Sequence, residues 1–170
     1  MDKLATIKGW CCGEDLRAAF NAHCALLGLP GAANAIQPHH AFFAAGPEAL
    51  AITIPALAGE LGRVSKRRLG VPVEGDDRGN YMVECQPTIW LIYAGLSRSD
   101  LVLRAGDYAD AIEAAALEVI GAKAMAAAGT FGAQSELDVE GQPWGPSEVD
   151  LGWLLPVRFE LMIPIANVTT

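Results

Sequence analysis

Thiols, imidazoles and paired carboxylates are the side chains best able to hold a metal or run acid–base chemistry. This chain has four cysteines, Cys11, Cys12, Cys24 and Cys85, and three histidines, His23, His39 and His40. Zinc sites are built from closely spaced ligand pairs. Here no Cys-x-x-Cys occurs, and adjacent Cys11 and Cys12 are poor co-ligands. His23 beside Cys24, with His39 and His40 further on, is a scattered set. No metal site and no structural disulfide is expected, and the thiols read as ordinary buried groups. The chain has no Gly-x-Ser-x-Gly elbow, no Walker loop and no His-Glu-x-x-His helix. His39-His40, after Pro38, is the best catalytic candidate by residue type. A small cytosolic enzyme or ligand-binding domain would use this pair with the glycine-rich 59–80 loop. Asp76-Asp77 lie in that loop and read as solvated charge. The expectation is no catalytic residue and no cofactor.

Charge is less evenly spread. Arg63, Lys66, Arg67 and Arg68 bring four of the twelve lysines and arginines into six positions. Glu136, Asp138, Glu140, Glu148 and Asp150 give residues 129–152 five acids and no base. A glycine-rich turn leading into a helix, which a phosphate loop requires, is missing near the basic cluster. The net charge of -8 argues against binding nucleic acid over the whole surface. Two open, oppositely charged segments suit docking between copies or onto neighbours. The nine charged residues named here are therefore the candidate assembly interface.

The elements that must carry these residues are set by hydrophobic period. Trp153 to Ile165 places a large apolar residue at every odd position, with Arg158 and Glu160 on the other side. This is a long strand with one face committed to a core. Pro156 and Pro164 predict that it lies at an edge or is bulged at two points. Tyr81 to Tyr93 is its partner, with a bulge expected at Pro87. Asp15–Leu27 reads as a helix stopped by Gly28 and Pro30. Asp107–Ile120 is the best helix, capped by Asp107, with Tyr108, Ile112, Ala115 and Val119 on one face and Gly129 as its stop. Leu50–Ile54 is a short strand candidate. Residues 1–13 are ambiguous, 95–106 a polar connection and Asn167–Thr170 a polar tail. The segments 30–48, 59–80 and 129–152 read as open. No stretch is apolar enough to cross a bilayer, and no export signal is read at the N-terminus.

The predicted class is α+β in a single domain spanning 1–170. It has one mixed or mostly antiparallel sheet, helices packed mainly on one face, and long loops or arms. The order of elements also resembles a known family. An N-terminal helix leads to ITIPA at Ile52–Ala56. A charged loop and the strand YMVECQPTIWLIY from Tyr81 follow. Then come the helix GDYADAIEAAALEVI from Gly106 and the strand LPVRFELMIPI from Leu155. Over most of residues 15–166 this looks like the tail-terminator, or tail-completion, proteins of long-tailed bacteriophages. The resemblance implies a homohexameric ring that catalyses nothing. Such a ring caps the tail tube, joins it to the head-to-tail connector protein and lets DNA pass through its lumen. It implies a virion protein of the tail or neck, assembled in the host cytoplasm. Another neck component, a head-closure or adaptor protein, is the alternative within that class.

Overall fold

The period-two stretch forms one unbroken strand, β8 (Leu151–Pro164), at the centre of a sheet with eight described strands. The computed structural model describes residues 3–36, 56–68, 81–94, 98–133, 140–143 and 151–169. Along them run α1 (Lys3–Cys12), α2 (Glu14–Leu26), β1 (Asn34–Ile36), β2 (Ala56–Glu60) and β3 (Val64–Arg68). These are followed by β4 (Tyr81–Cys85), β5 (Thr88–Ala94) and α3 (Arg98–Ala116). A π-helical turn, Leu117–Gly121, joins α3 to α4 (Ala122–Ala126), and β6 (Thr130–Ala133) and β7 (Glu140–Pro143) precede β8.

One edge of β8 pairs antiparallel with β4 and β5 in a single register, from Met82 opposite Pro164 to Ala94 opposite Gly152. The two strands are one ribbon interrupted at Gln86-Pro87. The expected bulge at Pro87 is therefore absent from this strand. It lies next door, where three residues, 61–63, face only two, 86 and 87, between the pairs Glu60–Thr88 and Val64–Cys85. Gly62 takes the left-handed backbone of that bulge at φ +62°, and a Cβ there would sit 2.3 Å from the Gln86 carbonyl oxygen.

The two prolines of β8 do not put it at an edge, because β6 and β7 pair with its other side. The Phe159 N–H donates to the Pro87 carbonyl at 2.8 Å, so odd residues of β8 bond towards β4 and β5. Even residues, including both prolines, point the other way. Pro156 falls in the gap between β7 and β6, and Pro164 lies beyond the last β6 pair, Thr130–Met162. Neither proline removes a rung of a described ladder. β1 joins β2 in parallel, so the sheet is mixed, as expected.

The core lies on one face. Leu155, Val157, Phe159, Leu161 and Ile163 are buried against Tyr108, Ile112, Ala115, Ile7 and Phe20 from the helices, while Arg158, Glu160 and Met162 are exposed. Val119 is half-buried. The class is α+β, with helices on one side of a single sheet.

Several boundaries differ from the expected ones. Residues 3–12 are helical, with Ile7 and Cys11 inward. The long helix begins at Arg98, upstream of Asp107, and Gly106 is an exposed residue inside it. Its end is a Schellman turn in which Ala128, at φ 57°, holds the left-handed position, and the Gly129 N–H donates to Ala124 at 2.8 Å. The left-handed position thus falls one residue before Gly129, the expected stop. Parts of all three segments read as open are strands: β1, β2 with β3, and β6 with β7. The Leu50–Ile54 candidate lies outside the described residues. The tail is not wholly polar, because Val168 is buried and Asn167 donates to the Ala127 carbonyl at 3.0 Å.

Candidate functional site

The basic cluster is carried by a strand. Lys66, Arg67 and Arg68 lie in β3 opposite Val83, Met82 and Tyr81, and Arg63 immediately precedes it at the bulge. All five residues of β3 are exposed. Alternation puts Arg63, Ser65 and Arg67 on the open face, and Val64, Lys66 and Arg68 on the helix-bearing face, beyond the helices' cover. The Lys66 ammonium sits 4.9 Å from the centre of the Tyr81 ring, which holds the side chain in place by a cation–π contact.

Of the five acids, Glu140 opens β7, with its backbone opposite Leu154. Glu136, Asp138, Glu148 and Asp150 lie outside the described residues. Among the described residues, the basic cluster and Glu140 are on strands at different places in the sheet. Among the described strands, β3 is outermost on the β4 side of the sheet, and β7 is on the far edge of β8.

The open face of the sheet is grooved. A cavity of about 590 Å³ crosses it from β3 to β6, lined by Arg63, Ser65, Glu84, Gln86, Glu160 and Met162 among others. Its walls carry both signs of charge and no cluster of metal-ligating groups. Among the described residues no group of three or more histidines, cysteines or acids could hold a metal.

The remaining chemical candidates are structural or out of view. His39, His40, Asp76 and Asp77 lie outside the described residues. His23 pairs with Glu118 at 3.0 Å, linking α2 to the π turn. Cys11, Cys24 and Cys85 are buried thiols. Desolvation raises all three, Cys24 and Cys85 to about 11, so they hold their protons at neutral pH and are weak nucleophiles. Cys12 is half-buried and is raised by the same cause, opposed by Lys8.

Sequence reasoning missed that the basic residues form a sheet edge. Val64–Arg68 shows no alternation of polar and apolar type, and the one hint beside it was Gly62, a residue free to take a left-handed bulge position. It also missed an apolar patch at the opposite edge. Leu117 and Met125 are 60% and 76% exposed there. A Cβ on Gly121 would lie 3.1 Å from Leu117 and 3.3 Å from Phe131 of β6, which places the patch beside that strand.

Against known proteins, the chain matches no family model and no curated sequence.

Proposed function

We propose that this protein is a structural subunit that works by assembly and catalyses nothing: a ring-forming component of the neck or tail of a long-tailed bacteriophage, in the tail-terminator position. The observation that carries the assembly reading is β3. A strand exposed at all five residues, at the rim of a sheet, adds almost no burial to its own subunit. It also presents a row of backbone donors and acceptors, which invites pairing with another chain. The neck position rests on the order and texture of the elements. The charge supports it: at -8, the lumen of such a ring repels phosphate and does not trap a passing genome. The partners implied are further copies of the chain, the tail tube protein and the head-to-tail connector protein. The place of action is the virion, after assembly in the host cytoplasm.

The test is direct. Purified protein, examined by sedimentation and negative-stain microscopy, should form closed rings, and those rings should bind the end of tail tubes. A chain that remains monomeric at high concentration and leaves tube ends bare contradicts the reading.

A further inference from the structure

We propose that copies join head to tail through the sheet, with the outer edge of β3 in one copy adding antiparallel to the outer edge of β6 in the next, Val64 opposite Phe131. This deepens the ring-forming reading and rests on it.

Four observations converge on that pairing. The first is hydrogen-bond phase. The Gln86 N–H donates to the Arg63 carbonyl at 3.3 Å, so residues 63, 65 and 67 bond towards β4, while the backbone groups of Val64 and Lys66 point outward. In β6, Thr130 and Gly132 stand opposite Met162 and Glu160, whose backbone bonds run towards β6. Phe131 therefore points its own N–H and C=O outward. Val64 and Phe131 are in phase to exchange two bonds.

The second is direction and level. β3 is antiparallel to β4, and both β4 and β6 are antiparallel to β8. A second copy placed beside the first in the same orientation thus meets β3 with an antiparallel β6. Val64 pairs with Cys85, which pairs with Leu161, which pairs with Phe131. The two residues stand at the same height on opposite rims, so the sheet continues without a slip.

The third is the side chains at that height. Val64 is 39% exposed on the helix-bearing face. It would meet the patch formed by Phe131 and Leu117 of the next copy on the same face, removing exposed apolar surface on both sides.

The fourth is charge. A two-fold pairing of β3 with itself sets Lys66, Arg67 and Arg68 against the same residues, which is destabilising. Pairing with β6 meets no base in that strand. The net charge of -8 on the next copy attracts the basic rim. The interface joins two different surfaces, so repeating it closes a ring or extends a filament.

The test uses the full chain. Ser65 and Thr130 become directly opposed across the proposed interface, on the open face, as a close pair that does not hydrogen-bond. In a Cys12→Ser background, oxidising the double variant Ser65→Cys, Thr130→Cys should give a ladder of disulfide-linked oligomers. Each single variant alone should not cross-link. Separately, Val64→Pro removes one outward N–H without touching the β3–β4 ladder or the charge. It should raise the concentration for half-assembly at least tenfold. Wild-type rings that persist in Val64→Pro at unchanged concentration, with no ladder, overturn this interface and leave the ring reading standing. Cross-linking of Ser65→Cys with itself overturns it in favour of a two-fold contact. A wild-type chain that never assembles, whether or not its basic strand binds duplex DNA, overturns both.

Discussion

The Phe159 amide donates to the Pro87 carbonyl at 2.8 Å, and that bond keeps the longest ribbon of the sheet in one register across a proline. Its side chain points the other way, into the core, stacked on Phe131 at 5.4 Å between ring centres. Phe159→Ala leaves the backbone bond in place and empties the contact between β6, β8 and the helices. The expected loss is about 3–5 kcal/mol, read as a lower denaturant midpoint with little change in slope.

Gly59 is a second point where backbone meets backbone. A Cβ there would fall 1.7 Å from the Cys11 carbonyl oxygen, so α1 lies directly on β2. Gly59→Ala must push the helix away and should cost at least about 1–3 kcal/mol. Gly9, on the same helix, has nothing within 4 Å of the corresponding position. Gly9→Ala should raise stability by about 0.5–1 kcal/mol, because glycine in a helix interior costs that much relative to alanine. Thermal melts of the two variants should move in opposite directions.

Ala128 occupies the left-handed position of the Schellman turn at φ 57°, while the equivalent turn after α2 uses Gly28 at φ 68°. Left-handed backbone costs an L-residue about 1–2 kcal/mol. Ala128→Gly relieves that strain at some cost in unfolded-state entropy. It should raise stability by about 1 kcal/mol, measurable by chemical denaturation.

Much of this was legible in the sequence, for a physical reason. β8 buries one face along its whole length, so its period is unbroken, and Tyr108 and Ile112 repeat at helical spacing because they cover that face. Elements with little to bury were the ones lost. α1 fully buries only Ile7 and Cys11, and Gly9 reads as a break. β3 buries nothing, so its residues show no alternation of polar and apolar type. Its place at the sheet edge comes from a bulge at Gly62 and from pairing with β4, which no local pattern encodes. Prolines misled in the other direction. Pro156 and Pro164 argue for an edge strand only if their missing N–H faces a ladder, and here both face stretches where no described strand pairs.

Stability should fall at alkaline pH. Burial raises the Cys24 and Cys85 thiols to about 11, and Cys11 too, from an ordinary value of 9.0. Between those values the folded chain holds protons that the unfolded chain has released, so unfolding gains as pH rises. The contribution is complete below about 9 and is lost as pH rises through about 11. Denaturant midpoints should be flat from neutral pH to about 9 and decline above it, and Cys24→Ala should weaken that decline. In the native protein Cys12, the half-buried one of the four, should react first with a thiol reagent.

The basic strand separates folding from assembly. β3 is exposed throughout, and exposed charges are worth about 0–1 kcal/mol each. The contact of Lys66 over Tyr81 adds about 0.5–1 kcal/mol. Replacing Arg63, Lys66, Arg67 and Arg68 with serine should therefore lower the stability of the isolated subunit by no more than about 1 kcal/mol, with an unchanged circular dichroism spectrum. Assembly should respond much more strongly. Four positive charges leave a rim that the net charge of -8 on the next copy would otherwise attract. The wild-type association constant should fall as salt rises, because added ions screen that attraction. In the quadruple variant association should be weaker at low salt and nearly independent of salt. The two curves should approach one another at high ionic strength, where only the apolar and backbone contacts of the edge remain. Parallel curves of equal strength at every salt concentration would mean that these four residues only solvate the sheet.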